Sequence, residues 1–196
     1  MRIKRLIPVF IVSLLVFQAP SWAAVYSVDP DHTTVSFKIK HLFSNVQGQF
    51  TKFEGTMEYD ADKPDSWKAS GQIDAASINT NVEQRDKHLR SKDFFDVEQF
   101  PKIAFAMMKV LEVSKDAAKI EGTITIHGVT KPIVLDVKIH GAGKDPWGNV
   151  RAGFTAIGKL NRKDFGLNWN QALETGGVLV GDEVEITLEI EGILKE

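Results

Sequence analysis

The sequence predicts an all-β fold, either an up-and-down barrel or a sandwich of roughly eight strands. Two observations predict it. Apolar residues recur at every second position along most of the chain, and clusters of Gly, Pro, Asn and Asp cut that alternation into short runs. Beyond residue 23 no long segment carries the helical period, and there is no internal repeat, low-complexity tract or linker. One domain is expected.

The first segment reads as an address. Arg2, Lys4 and Arg5 precede an apolar run over residues 6–17, and Ser21-Trp22-Ala23 puts small residues at the positions a signal peptidase reads. The run is too short to span a bilayer, which takes about 20 residues. Residues 1–23 are therefore expected to be a cleaved secretory signal peptide, and residues 24–196 the mature, exported domain. Cleavage removes three of the 24 basic residues and none of the 26 acidic ones, so the net charge moves from −2 to −5. A mildly acidic chain with dispersed charges has no electrostatic footprint for nucleic acid or for an anionic membrane. With no cysteine, neither a disulfide framework nor a lipoprotein anchor is possible.

The strands follow in order. Val35, Phe37 and Ile39 alternate with Ser36, Lys38 and Lys40. Ile120, Gly122, Ile124 and Ile126 alternate with Glu121, Thr123, Thr125 and His127, and Ile133, Leu135, Val137 and Ile139 repeat the pattern. Near the end Val184, Ile186, Leu188 and Ile190 stand against Glu183, Glu185, Glu189 and Glu191. Each run has one dry and one wet face, which antiparallel sheets tolerate. Turns are expected at Asp62-Lys63-Pro64-Asp65, at Lys115-Asp116 and over residues 128–132 and 141–149. One interruption stands out: Asn79-Thr80-Asn81 is placed to cap a short helix over residues 82–90, with Val82 and Leu89 facing inward. That helix would lie over one end of the barrel.

Function classes narrow quickly. The outward positions are too charged for a membrane barrel, and no aromatic girdle is present, so the dry faces must point inward. A closed barrel of about eight strands is just wide enough to be filled by side chains or to hold one small ligand. Gly55, Gly71, Gly122, Gly153 and Gly158 either leave inward space or mark bulges and bends. His32, His41, His88, His127 and His140 form no close metal-binding pair, so no metal is expected. Without cysteine or a Gly-x-Ser-x-Gly elbow a hydrolase has no support. Arg85 and Asp86 are expected to tie the helix to the barrel rim by charge-assisted hydrogen bonds, and Arg162 and Asp164 to act likewise at a turn.

Several blocks in order resemble the YceI-like family of periplasmic, lipocalin-like polyisoprenoid-binding proteins. They are Tyr26-Ser27-Val28-Asp29 with His32, Gly48-Gln49-Phe50, Arg85-Asp86-Lys87-His88-Leu89 and Ser91-Lys92-Asp93-Phe94-Phe95-Asp96 with Phe100-Pro101. Gly128-Val129-Thr130-Lys131-Pro132, Asn161-Arg162, Asp164-Phe165-Gly166 and Val180-Gly181-Asp182-Glu183-Val184 complete the set. The resemblance implies an extended lipocalin-like antiparallel barrel whose tunnel holds an isoprenoid, a quinone or a similar amphiphile. It also implies no catalysis, no cofactor other than that lipid, and a homodimer. The residues expected to line the tunnel are Phe37, Ile39, Phe50, Phe53, Ile73, Leu89, Phe94, Phe95, Phe105 and Ile124, with Arg85, His88 and Asn168 at the mouth sensing a head group. Two other readings are a stress-protective periplasmic protein and an enzyme acting on a bound lipid.

Overall fold

The computed structural model describes residues 24–174 and 177–195, so the expected signal segment lies outside the described residues. The described residues form eleven strands, one α-helix and three short 3₁₀ turns. The first hairpin contains β1 (Ala24–Val28), β2 (Thr34–His41), β3 (Ser44–Phe50) and β4 (Phe53–Tyr59). Next come β5 (Lys68–Asp74), β6 (Ile78–Asn79), α1 (Glu83–Arg90) and β7 (Lys102–Val113). β8 (Ala117–Ile126), β9 (Val129–Lys144), β10 (Val150–Asn161) and β11 (Val180–Leu194) follow.

All pairings are antiparallel, and the ring closes because β11 pairs with β1 as well as with β10 and β2. β1 and β2 are two halves of one stave, as are β3 and β4: Ser27 pairs with Thr56 and Val35 with Phe50 along the same hairpin. β5 and β6 continue each other likewise against β4 and β3. Counted this way the fold is a closed antiparallel barrel of eight staves in sequence order, which leaves no sheet edge over most of its height. The break between β1 and β2 is sealed by one backbone bond and one side-chain hydroxyl. Asp29 N donates to Glu191 O at 2.8 Å, while the Thr33 hydroxyl donates to Glu191 O and accepts from Glu191 N at 3.3 and 3.1 Å.

The alternation read from the sequence is the alternation of burial. On β8 Ala118, Ile120, Gly122, Ile124 and Ile126 face inward, and on β9 Ile133, Leu135 and Ile139 are buried beside them. Two turn boundaries differ from expectation. The β8–β9 turn is only His127 and Gly128, both at positive φ (50° and 74°), the backbone of a tight hairpin. Residues 129–132 are already strand, with Pro132 opposite Thr123. Pro132 is accommodated because β9 pairs with β10 only from Leu135 onward, leaving its imide side without a ladder to break. The strand likewise runs on to Lys144, and the following turn is held by Asp145, whose Oδ1 accepts from Trp147 N and Asn149 N at 2.9 Å.

The helix lies at the expected place, but its start is built differently. Its N-cap is Val82, which makes no side-chain cap bond and is half-exposed while bordering the cavity inside the barrel. Asn79 instead accepts from Asn81 N at 2.8 Å to make a turn, and Asn81 sits at φ 61°, outside the geometry of a cap. The orphan groups belong to buried Thr80. Asp86 accepts from Thr80 N and Oγ1 at 2.9 and 2.5 Å, and Arg85 donates to Thr80 Oγ1 and O at 2.7 and 2.8 Å. Arg85 and Asp86 thus tie the helix to the end of β6. Leu89 packs on the core as expected.

A tunnel capped by a helix

The closed barrel is hollow: its interior holds a cavity of about 890 Å³. The walls are almost entirely aliphatic and aromatic. Of the residues expected to line it, Phe37, Ile39, Phe50, Phe53, Ile73, Leu89, Phe94, Phe95, Phe105 and Ile124 all do, and Arg85 and His88 border it beneath the helix. Asn168 does not: it is exposed and outside the lining. The neighbouring residues Leu167 and Trp169 take the inward positions, because the 3₁₀ turn over Arg162–Phe165 ends in Gly166 at φ 79° and redirects the chain.

The α1 end is polar-edged. The His88 ring stands edge-on between Phe94 and Trp169, with centroids 5.1 and 4.9 Å away, and its Nε2 lies 2.8 Å from Asp93 Oδ2. Phe50 meets Phe95 edge-to-face at 5.9 Å, and Phe37 tilts against Phe50 at the same distance, so aromatic faces run inward from this mouth. Arg85 uses Nε and Nη2 on Thr80, and its Nη1 has no protein partner among the described residues. A guanidinium donor therefore remains available at the cavity edge. The opposite end is floored by rings: Tyr59 lies 4.9 Å from Trp67 and 5.0 Å from Phe154. The Trp67 indole N–H is satisfied by Asp60 O at 2.6 Å.

Arg162 is different in kind from Arg85. It is 3% exposed, and it donates to the carbonyls of Gly181, Leu167 and Trp169 at 2.8, 2.5 and 2.8 Å, with Asp182 Oδ1 at 3.5 Å. Burial pushes its pKa below the ordinary arginine value, but a guanidinium stays charged across any working pH. Its donors are spent on holding the loop before β11, which sets Trp169 against the cavity. Asp164, expected to join it, is exposed and stands outside this set.

A second charged cluster lies at the floor end. Arg151 donates to Asp145 Oδ2 at 2.8 Å, Asp29 Oδ2 at 2.7 Å and Glu191 Oε1 at 2.5 Å, and His32 Nδ1 lies 2.8 Å from Asp29 Oδ2. Burial opposes ionisation of Asp29, yet the bonds from Arg151, His32 and Asp31 N outweigh it and hold its pKa below the usual value. The Asp145 carboxyl lies well below the usual carboxylate range, chiefly because of Arg151 and then Asn149. Asp29, His32 and Glu191 are close enough to share a cation. That cation is already supplied, because the Arg151 guanidinium bridges both carboxylates.

Sequence reasoning missed Trp169, Leu167 and the floor rings Tyr59, Trp67 and Phe154. Trp169 lies in a stretch without alternation, and Tyr59 and Trp67 flank a turn. Nothing periodic marks Trp67 or Trp169 as interior, whereas Tyr59 continues the row of Phe53, Gly55 and Met57, and Phe154 lies between Ala152 and Ala156, a two-residue period that could have found both.

Known proteins agree with this architecture. The YceI-like domain matches residues 26–192. The chain is 39% identical over 193 residues to Protein YceI of Salmonella arizonae, covering 97% of each. Its fold superposes on BcnA of Burkholderia cenocepacia with a TM-score of 0.74, 22% identity and coverage of 84% of this chain and 98% of that one. A polyisoprenoid binding domain from Saccharophagus degradans aligns with a TM-score of 0.63, at 15% identity over 88% of this chain and 99% of that one. With the family match spanning nearly all the described barrel, and a relative of almost the same length, this chain belongs to the YceI-like family.

Proposed function

We propose that the chain is a non-catalytic binding protein of the bacterial periplasm that holds one long-chain apolar lipid, of the isoprenoid or quinone kind, along the barrel axis. The polar head of that lipid rests at the α1 end beside Arg85 and His88. The observation that carries the reading is the apolar cavity of about 890 Å³ inside the closed barrel. The Saccharophagus degradans domain described as polyisoprenoid binding supports it as a fold neighbour, and the signal-like first segment supports the location.

Magnitudes fit a lipid better than a small polar metabolite. At about 30 Å³ per non-hydrogen atom, the share of a molecule in liquid water, the cavity takes roughly 30 such atoms, or about six isoprene units. Gross burial at about 0.8 kcal/mol per CH₂ would exceed any known affinity, so ordering costs decide the net value. At about 0.3 kcal/mol per atom, typical of large ligands, the net is about 9 kcal/mol, a Kd on the order of 0.1–1 µM. An enzyme reading draws on Arg85, Asp86 and His88, but the first two are committed to Thr80 and His88 pairs with Asp93.

Titration of the delipidated protein with a C30 prenyl alcohol, followed by the fluorescence of the cavity residues Trp67 and Trp169, tests the proposal. Saturable binding near or below 1 µM is expected on the estimate above. An absence of saturable binding would overturn it.

A further inference from the structure

The inward glycines of the strands are of two kinds. Gly48, Gly122 and Gly158 are seats for neighbouring side chains. A Cβ on Gly48 would run into the Phe37 ring, one on Gly122 would lie 2.6 Å from Phe105 Cε2, and one on Gly158 would lie 2.5 Å from Leu135 Cδ2. Those glycines let large residues lie flat on the wall.

Of Gly55 and Gly71, the first is a seat for Val28, whose Cγ2 would lie 3.0 Å from an added Cβ, and only the second is clear of side chains. They face each other as a cross-strand pair of β4 and β5, so the wall carries no side chain at that level. A Cβ on Gly71 would approach only the Glu54 carbonyl oxygen at 3.2 Å and the Gly55 Cα at 3.9 Å, and no interior side chain reaches it. The lining shows the same bareness. On β8 and β9 only alternate residues border the cavity, whereas every residue of β4 and residues 67–73 border it without a gap.

Glycine in a strand interior weakens the sheet, and it is found there for a bulge, a special backbone angle or the close approach of something else. The β4–β5 register runs unbroken from Phe53–Ile73 to Glu58–Lys68, and neither glycine has a positive φ. Close approach is the reason that remains: Val28 and the Ser70 carbonyl supply it at Gly55, while at Gly71 only the Glu54 carbonyl is near and the cavity side stays open. That open side is the inside, because Gly71 shares the inward face of Ala69 and Ile73, opposite Phe53 and Met57.

We propose that Gly71, opposite Gly55, is a subsite on which the middle of the bound apolar chain lies, and that this bare stretch of wall sets the length of chain the tunnel accepts. The inference rests on the lipid-binding reading above and names its specificity determinant. Gly71 sits between the mouth residue Ile73 and the floor residue Trp67 on the same stave. A side chain there would divide the tunnel, blocking long chains and leaving the mouth half open to short ones.

The test compares Kd values for C10 and C30 prenyl alcohols in the wild-type protein, Gly71→Val, Gly71→Ala and the control Gly153→Ala. Gly153 faces outward at a register shift, where a Cβ meets only His140 Cβ at 3.5 Å. Thermal unfolding of each variant reports whether the barrel is intact, and Gly71→Ala decides alone should the valine variant not fold. Gly71→Val is expected to weaken C30 binding about tenfold or more through overpacking, with C10 binding within about twofold of wild type. Gly71→Ala should show a smaller loss of the same kind, and Gly153→Ala none. Folded variants that weaken both probes equally, or neither, overturn the subsite. Wild-type protein that binds neither probe overturns the lipid reading itself, a separate failure.

Discussion

Replacing Ala156 by phenylalanine narrows the tunnel from the wall opposite in sequence to β4 and β5. Ala156 is buried, faces the cavity from β10, and is paired with Val137 on one side and Leu188 on the other. Phenylalanine adds six carbons. At about 30 Å³ each they take roughly 180 Å³, about a fifth of the 890 Å³ interior, and displace about six ligand carbons. Gross burial would put the loss at about 5 kcal/mol. The chain ordering that binding demands is relieved together with those carbons, so the smaller figure of about 0.3 kcal/mol per atom applies, or about 2 kcal/mol. That is a Kd roughly 30-fold weaker for a C30 chain. Tryptophan fluorescence titration reads it, with a urea melt to show that the variant folds. An unchanged Kd in a folded variant refutes the claim that the ligand fills this space.

Phe165 is 1% exposed, and Phe165→Ala should cost about 3–5 kcal/mol in urea unfolding, because it leaves a ring-sized void in the wall of the loop before β11. Asp86→Ala leaves the buried Thr80 N–H without its acceptor, which should cost about 1–3 kcal/mol and appear as faster hydrogen exchange across residues 80–90. For Arg151 the pH dependence is diagnostic. Asp29 and Asp145 have folded pKa values below their unfolded ones, so their contribution is complete above about pH 4 and is lost as pH falls through the folded values. Arg151→Met should therefore lower Tm most at pH 5–7. The gap from wild type should shrink toward pH 2, and a gap that widens with acid contradicts the assignment.

The barrel was legible because its staves obey the two-residue period wherever one face is dry: Ile120 to Ile126 and Val184 to Ile190 read directly as inward rows. The breaks were not. The kink between β1 and β2 depends on Glu191, over 150 residues away, bonding Asp29 and Thr33, and no local pattern encodes such a partner. β7 hid its register because two irregularities, between Met107 and Lys109 and between Val110 and Glu112, shift the inward set partway along it. The cap was misread because Asn79, Thr80 and Asn81 have the right chemistry for capping, but Asn81 turns the chain first. At the site, the phenylalanines were readable as inward, while Asn168 was not separable from Trp169 without knowing how Gly166 redirects the backbone. Whether inward glycines were seats or open wall required the neighbouring side chains themselves.

The central claim is that one long apolar chain occupies the barrel. Native mass spectrometry of the mature protein purified from a bacterial periplasm, followed by solvent extraction and mass analysis of the extract, tests it most directly. One lipid per chain, long, apolar and with a small polar head, is the predicted result. A protein that flies at the bare polypeptide mass, yields no lipid, and takes up no C30 prenyl alcohol when offered it would contradict the account.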